Sequence, residues 1–456
     1  MGHVLLPASI PPAGAPGRAG AEVDVQGQSA STERDDVALL TGEQAGELLW
    51  AVLHAEGVVL TTWAVDQVHH RPGVGVTVGY AARWRAGDRH GEEYLLATTA
   101  PVPPPVELTP VGRTTVLAGD CEVTVWRHPF DPALPGLALA SDVGVLAPVL
   151  GQADRDGHDA VLELVTYRPL RRAVLRARTS SSTTYLKVVR PRTAAGLLER
   201  HALLEDAGLP VPHATPVRPV DGADVGVVAL AGLPGGSLTD ALARDGAAAL
   251  DPSAVVAMLD RFPAALTTLR RRPSWADRVE HHATAAAAAL PRAADEIASL
   301  AAQVRQLLLL SDAGPVVATH GDLHDQNVLV DGSVIVGLLD VDSAGPGHRV
   351  DDLACLLAHL SVLPVLDATV HRHVPAALAR WTTRFDDTVD PVALRARAGG
   401  VVLSLVAGAR RTDDPLWRDR GRATLAVART WIDDAWRVRG LSSPRPPALI
   451  LSRKPR

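Results

Sequence analysis

The stretch HGDLHDQNVLV, residues 320–330, contains Asn327, the single asparagine of this 456-residue chain. A second exception accompanies it. Of 45 basic residues only Lys187 and Lys454 are lysines, and the others are arginines. The excess of Ala, Arg, Val and Gly shows a strong compositional drift. Against that drift, one asparagine and one lysine in the interior of the sequence indicate positions where those side chains are needed.

The residues that follow Asn327 predict a tight β-hairpin. In HGDLHDQNVLVDGSVIVGLLDVDS (320–343), the apolar runs NVLV and VIVGLLD are joined by the turn DGS. Because a hairpin returns the chain to its starting point, Asp340 is expected beside Asn327, with Asp322 at the start of the same loop. Two carboxylates and an amide carbonyl are the oxygen donors that suit Mg²⁺. The stretch therefore predicts a magnesium site.

Lys187 lies in a predicted strand, TTYLKVVRP (183–191), with apolar neighbours on both sides. A lysine supplies a compact point charge for phosphate oxygens, whereas an arginine supplies a planar fork. A buried lysine needs a counter-charge, and the following predicted helix offers Glu199 first and Glu205 second. Leucines flank both glutamates, so helical periodicity does not separate them.

The order of these motifs resembles the aminoglycoside phosphotransferase and choline kinase group, relatives of the protein kinases. The resemblance covers roughly residues 160–440. It implies a bilobal α+β fold of the protein-kinase type, with a β-rich N-lobe, a mainly helical C-lobe and an extra N-terminal α+β domain. It also implies that Asp322 accepts or orients the proton of a substrate hydroxyl, while Asn327 and Asp340 hold Mg²⁺ on the phosphates of ATP.

The same resemblance implies roles for further residues around the loop and the nucleotide. Lys187 would bind the phosphates and pair with Glu199. The backbone of ALAGLPGG (229–236), including Leu230 and Gly232, would receive the adenine. Supporting roles would fall to three residues of the helical half. His320 would brace the loop, Asp342 would assist the metal, and Asp352 would tie a helix to the loop.

Two features depart from the kinase pattern. The glycine-rich loop is absent upstream of Lys187, and the corresponding turn is RARTSSSTTY (176–185). Backbone amides and a serine such as Ser181 would cover the phosphates there. The metal aspartate is followed by VDS rather than by a triplet with glycine, so Asp342 is either a further ligand or a hydrogen-bonding support.

The chain is long enough for two or three domains, and its patterns predict five segments. A helix at 43–57 and strands at 73–87, 92–100 and 121–129 indicate the N-terminal domain. Strands at 160–169, 171–179, 184–191 and 223–232, with a helix at 193–208, indicate the N-lobe. Thr193 is expected as the N-cap of that helix and Gly208 as its C-terminal stop. The predicted segments are a disordered tail at 1–36, an α+β domain at 37–150, the N-lobe at 151–235, the C-lobe at 236–440 and a Pro-rich tail at 441–456.

Composition excludes several classes of protein. The formal charge of −6 argues against a nucleic-acid-coating surface. Two distant cysteines, Cys121 and Cys355, exclude a disulfide framework and favour a reducing interior. The N-terminus lacks the features of a secretory signal and no apolar stretch reaches membrane-spanning length, so a cytoplasmic protein with no membrane partner is expected.

Other side chains have simpler interpretations. His320 and His324 are four apart, but their segment is turn-like rather than helical, which argues against a zinc pair. Four tryptophans of the C-terminal half are predicted to anchor helix packing, with a wall against a sugar ring as the weaker alternative. These are Trp381, Trp417, Trp431 and Trp436.

Together these features predict an ATP-dependent kinase that transfers the γ-phosphoryl group to a hydroxyl of a sugar, amino sugar or aminoglycoside. The length and the N-terminal domain are similar to actinobacterial maltokinase and glucosamine kinase relatives, although HGDLHDQN fits the aminoglycoside-type loop better. Alternatives are a choline or amino-alcohol kinase and a non-catalytic nucleotide-binding relative. The motifs leave the acceptor and the oligomeric state open.

Overall fold

The chain forms two compact units. The N-terminal unit comprises residues 1–195 and 215–232, and the C-terminal unit comprises 196–214 and 233–456. The computed structural model describes residues 4–5, 35–55, 57–71, 73–104, 113–146, 161–219, 222–409 and 415–441. Most of the predicted tail at 1–36 and all but Leu441 of the predicted tail at 441–456 lie outside the described residues.

The N-terminal unit contains a six-stranded sheet that confirms the predicted strands of the first domain. Its strands are β1 (Val4–Leu5), β2 (Val59–Arg71), β3 (Gly75–Ala86), β4 (Arg89–Thr98), β5 (Arg113–Ala118) and β6 (Cys121–Arg127), in the order β1-β5-β6-β4-β3-β2. Only the β1–β5 pair is parallel among these. Helix α1 (Glu43–His54) packs Leu48 and Leu49 against Val78 and Tyr80 of β3.

A second sheet in the same unit is five-stranded and antiparallel at its centre. Its strands are β7 (Val161–Arg168), β8 (Arg172–Arg178), β9 (Thr183–Val189), β10 (Ala214–Val217) and β11 (Val227–Ala231), in the order β10-β11-β9-β8-β7. Two short helices, α2 (Gly136–Ala140) and α3 (Val143–Leu146), share a core with this sheet although they precede the predicted domain boundary at 150. The predicted boundaries stay predictions.

Helix α4 (Pro191–Asp206) begins earlier than the sequence indicates. Thr193 was expected as its N-cap, and this expectation is wrong because Pro191 already opens the helix. The Thr193 hydroxyl instead donates to the Arg190 carbonyl at 2.7 Å, inside the first turn. The predicted stop is confirmed, since Gly208 has φ +70° and the amide of Leu209 donates to the Leu204 carbonyl at 3.0 Å.

The C-terminal unit is mainly helical. Its helices after α4 are α5 (Leu238–Asp245), α6 (Ser253–Asp260), α7 (Val279–Ala289), α8 (Ala294–Leu309), α9 (Arg349–Leu366), α10 (Val374–Asp386), α11 (Pro391–Val406) and α12 (Trp417–Val438). Its strands are β12 (Gly236–Ser237), β13 (Val316–Thr319), β14 (Val328–Asp331), β15 (Val334–Leu338) and β16 (Gly345–His348). β12, β14 and β15 form one small sheet, and β13 pairs with β16.

One continuous apolar core fills this unit and includes three of the four tryptophans that were predicted to anchor helix packing. Trp381, Trp431 and Trp436 are buried, and Trp417 packs against the core from its edge. The indole NH of Trp436 donates to the Gln303 side chain at 3.0 Å, so its polar atom is satisfied inside the core. The predicted packing role of these residues is confirmed. None of the described helices combines the length and the apolar character that a bilayer crossing demands.

Candidate active site

The site is built on the loop between β13 and β14, here called the catalytic loop (residues 320–327). Gly321 has φ +78°, and a Cβ at that position would lie 2.7 Å from the Ser343 carbonyl oxygen. Only glycine meets both conditions without strain. The Gly-Asp pair therefore turns the chain sharply enough to place Asp322 at the head of the loop.

Asp352, at the start of α9, is hydrogen-bonded to the backbone of the catalytic loop. Its carboxylate is 1% exposed and accepts from the backbone amides of His320 and Gly321, each at 2.8 Å. Burial raises the pKa of Asp352, while the two amides and the nearby His320 oppose that shift. The structure thus places Asp352 where the resemblance expects a residue that ties a helix to the loop.

His320 joins the loop to the strand that precedes Asp340. Its Nε2 lies 2.9 Å from the Leu339 carbonyl, and its Nδ1 lies 3.3 Å from the Asp322 amide. A carbonyl only accepts and an amide only donates, so the proton resides on Nε2 and Nδ1 is the acceptor. Both ring nitrogens are engaged by backbone, which removes His320 from any metal pair with His324.

The hairpin brings Asn327 and Asp340 together as the sequence predicts. Val328 pairs with Leu338, and the Leu339 amide donates to the Asn327 carbonyl at 2.8 Å. The Asn327 side chain is buried, and its Nδ2 donates to the Asp322 carbonyl at 3.0 Å. This bond fixes the amide so that Oδ1 points away from the loop backbone, and no described residue donates to Oδ1.

These side chains fit a magnesium ion. Asn327 offers an oriented neutral oxygen, and Asp340 offers a carboxylate on the adjoining strand end. Asp340 adopts a left-handed conformation with φ +53° and ψ +48°, which is unusual for a residue other than glycine and is found where a side chain must be aimed. Asp342 follows in a single 3₁₀ turn. Burial lowers the pKa of Arg200, and Asp342 is close enough to oppose that shift.

Sequence reasoning missed the residues that contact Asp322 from outside the loop. The indole NH of Trp275 donates to Asp322 Oδ1 at 3.2 Å. Arg278 lies with its guanidinium carbon 4.8 Å from the centroid of the Trp275 ring. The motif RRRPSWADR (270–278) is the signal that could have found them, because a tryptophan among arginines is unusual for a solvated turn.

The predicted nucleotide residues lie in the N-terminal unit. Lys187 occupies β9, the central strand of the second sheet, between Val174 and Val228, and is 5% exposed. Gly232 donates its amide to the Thr183 carbonyl at 2.8 Å, and a Cβ there would lie 2.7 Å from that oxygen. Leu230, on β11, is half-buried. Their roles stay predictions.

The turn that replaces the glycine-rich loop is held by its own side chains. The amides of Ser181 and Ser182 donate to the Thr179 hydroxyl at 3.3 and 3.0 Å. The serines of this turn are exposed. The hydroxyls of Ser181 and Ser182 also lie 3.5 and 3.0 Å from the Thr179 hydroxyl, and the phosphate contact expected of this turn stays a prediction.

The two candidate partners of Lys187 have different surroundings. Both glutamates lie on the part of α4 that belongs to the C-terminal unit. Glu205 is engaged by His213, whose Nδ1 lies 2.9 Å from its carboxylate. Glu199 is exposed, and its charge opposes the burial that lowers the pKa of the neighbouring Arg200 guanidinium. Glu199 remains the predicted partner.

Two histidines near the site have lowered pKa values, from which we predict a loss of stability in mild acid. Burial, Arg278 and His281 lower the pKa of His282 to about 4, and burial and His324 lower the pKa of His359 to about 3. Below the ordinary histidine pKa of 6.5, the unfolded chain takes up protons that the folded chain refuses. The free energy of unfolding should therefore fall from pH 6.5 towards pH 4, by at most roughly 1 kcal/mol per pH unit for each histidine.

Urea unfolding at a series of pH values measures this slope. The His282→Gln variant should show a flatter profile than the native chain, and the exposed His213→Gln variant should not. Equal slopes for the native chain and His282→Gln would contradict the assignment.

Residues 170–386, a little under half of the chain, match the model of the phosphotransferase enzyme family, APH. The match confirms the family resemblance inferred from the motifs, and with it the kinase-like fold class and the class of enzyme. None of the curated proteins matches the chain.

Several solved structures are similar to this chain at low identity. The macrolide 2'-phosphotransferase MphH from Brachybacterium faecium is 20% identical, over 62% of this chain and 97% of that one, with a TM-score of 0.37. An ethanolamine kinase from Plasmodium vivax is 11% identical, over 60% and 83%, with a TM-score of 0.40. A thermostable mutant of the aminoglycoside phosphotransferase APH(4)-Ia, complexed with AMP-PNP and hygromycin B, is 16% identical, over 64% and 97%, with a TM-score of 0.41.

Proposed function

We propose that this chain, a phosphotransferase through the family match of residues 170–386, transfers the γ-phosphoryl group of ATP to a hydroxyl of a sugar, amino sugar or aminoglycoside. One observation carries the proposal. The Leu339 amide bonds to the Asn327 carbonyl, and the Asn327 side chain bonds to the Asp322 carbonyl, so the hairpin brings Asp322, Asn327 and Asp340, the neighbour of Leu339, close together.

The proposed reaction forms one bond and breaks one. The acceptor hydroxyl oxygen bonds to the γ-phosphorus, and the bond from that phosphorus to the β–γ bridging oxygen breaks, which releases ADP. The hydroxyl proton passes to the carboxylate of Asp322, which the Trp275 indole orients through Oδ1. Asn327 and Asp340 would hold Mg²⁺, which neutralises phosphate charge when bound. The remaining catalysis is positioning, supplied by the His320 and Asp352 contacts.

The experiment is a screen for phosphorylated product. Purified protein with ATP and Mg²⁺ is offered sugars, aminoglycosides and amino alcohols, and both ADP and the phosphorylated acceptor are measured. ADP formation that depends on one acceptor, with that acceptor gaining a phosphoryl group, supports the proposal. Nucleotide binding without transfer to any acceptor would favour a non-catalytic relative, and a preference for amino alcohols would favour that kinase class.

Replacing Lys187 tests the nucleotide part of the proposal. Lys187→Met keeps the apolar stem of a buried side chain but removes its charge, so the fold should persist. Nucleotide affinity should fall about ten- to hundredfold, as expected when one charged hydrogen bond is lost. Calorimetric titration with AMP-PNP measures the change.

The matched control is Arg83→Met, which replaces an exposed arginine on β3 of the six-stranded sheet. It should bind AMP-PNP as the native chain does. If Lys187→Met bound as tightly as this control, Lys187 would have no role in nucleotide binding.

A further inference from the structure

The segment that contacts Asp322 is rich in arginine. It runs from Leu269 to His282 with the sequence LRRRPSWADRVEHH, and its last residues begin helix α7. Besides the Trp275–Asp322 bond, Arg272 donates to the Ser343 hydroxyl at 3.2 Å. In the proposed reaction the acceptor hydroxyl approaches the Asp322 carboxylate. Groups bonded around that carboxylate are therefore neighbours of the acceptor.

Arg272 and Arg278 form what we call the guanidinium pair. Burial is the main cause that lowers the pKa of Arg278, and Arg272 lowers it further, while Asp322 and Asp277 oppose the shift. Contacts place both guanidinium groups around the catalytic loop. Arg278 lies 4.8 Å from the centroid of the Trp275 ring, whose indole bonds to Asp322, and Arg272 bonds to Ser343, which packs against Gly321. Both side chains belong to exposed residues, so a dissolved molecule can reach them.

The acidic residues of the same segment are engaged elsewhere. Asp277 accepts from the Ser274 amide and lies 3.8 Å from the buried Arg397. Glu280 forms an ion pair of 2.5 Å with Arg305. Within the described parts of the chain, no carboxylate forms an ion pair with either member of the guanidinium pair. Asp277 acts on Arg278 only from beyond ion-pair distance, so both members of the guanidinium pair can still form an ion pair with a bound anion.

We propose that the acceptor carries an anionic group, a carboxylate or a phosphate ester, which the guanidinium pair binds while the acceptor hydroxyl meets Asp322. The inference rests on the proposed function and names its acceptor class. Guanidinium groups bind carboxylate and phosphate through paired, charge-assisted hydrogen bonds. The same charges repel an ammonium group, so the inference narrows the proposed acceptors to a sugar that carries an anionic group, ahead of the amino sugars and aminoglycosides.

Acceptors that share one carbon frame and differ in charge test this inference. Glucose, glucosamine, glucuronate and glucose 6-phosphate are compared, with further matched sets of neutral, aminated, carboxylated and phosphorylated alcohols. The value of kcat/KM should be at least about tenfold higher for an anionic member than for its aminated counterpart. Comparing glucuronate-type with phosphate-type acceptors distinguishes the two sources of charge.

Arg278→Gln shows whether the guanidinium pair causes the preference. The ratio of KM for the anionic acceptor to KM for a neutral acceptor should rise about tenfold or more, since the contact serves binding. Any effect that passes through the Trp275 ring is common to both acceptors and leaves that ratio unchanged. Arg305→Gln, an exposed arginine whose partner Glu280 lies on the same segment, is the matched control and should not change the ratio.

The outcomes separate this inference from the proposed function. The inference is overturned if turnover favours aminated acceptors. It is also overturned if the preference for anionic acceptors persists in the double variant Arg278→Gln, Arg272→Gln. Either result leaves the proposed kinase activity unaffected. An equal loss of kcat for neutral, anionic and cationic acceptors also overturns it, because Arg278 would then act on the transferred phosphoryl group. Absence of transfer to every acceptor, with nucleotide binding intact, overturns the proposed function and the inference with it.

Discussion

Replacing Asp322 with asparagine should lower the rate of phosphoryl transfer by about 10²- to 10⁴-fold, the range by which a positioned general base accelerates proton transfer. The amide keeps an oxygen that can accept from the Trp275 indole. The loop should therefore retain its geometry, and nucleotide affinity and the thermal midpoint should stay close to native values.

Asp331→Asn is the matched control for this prediction. Asp331 ends β14 at the exposed turn of the same hairpin, four residues after Asn327. Asp331→Asn replaces a carboxylate with an amide, as Asp322→Asn does, but at a position outside the catalytic loop. The turnover of this variant should therefore remain native. Single-turnover kinetics with saturating ATP separate the transfer step from product release. Full turnover by Asp322→Asn would show that another group accepts the proton.

Replacing Asp352 with alanine should produce the largest loss of stability. The change leaves the buried amides of His320 and Gly321 without an acceptor, at about 1–3 kcal/mol each. Removing a buried carboxylate whose pKa is raised offsets part of that cost. A net fall of about 2–4 kcal/mol in the free energy of unfolding is expected, with transfer activity falling as the loop loosens.

Asp352→Asn should fall between the native chain and the alanine variant. Its amide oxygen can accept from one backbone amide, while its NH₂ group faces the other and cannot. Urea unfolding with fixed cofactor concentrations measures all three proteins. The Asp331→Ala variant, which removes an exposed carboxylate, should unfold with the native midpoint. A native midpoint for Asp352→Ala as well would mean that other contacts hold the loop.

The hairpin was predictable because its signals are local. The turn DGS between two apolar runs sets the return of the chain, and that return alone places Asp340 beside Asn327. The lysine in YLKVV was identifiable as buried for the same reason, since its apolar neighbours place it in a central strand. The helix start at Pro191 was missed because a threonine two residues later offers a stronger local cap signal.

The surroundings of Asp322 were not predictable, because they depend on contacts between residues distant in sequence. Trp275 and Asp322 are separated by 47 positions, and nothing in either local pattern indicates that the indole meets the carboxylate. The pairing of Asp277 with Arg397 and of Glu280 with Arg305 is also long-range. These pairings decide which charges of an arginine-rich segment remain beside the site.

By itself, the sequence determined the family resemblance, the hairpin after the catalytic loop and the residues that are predicted to bind magnesium, because each of these is encoded within one or two turns of the chain. Only the tertiary structure decided which residues surround Asp322. Helix packing brings residues 269–282 to Asp322. It also pairs the acidic residues of that segment, Asp277 and Glu280, with arginines distant in sequence. Packing of that kind depends on the whole core of the helical unit, whereas a turn depends on its own few residues.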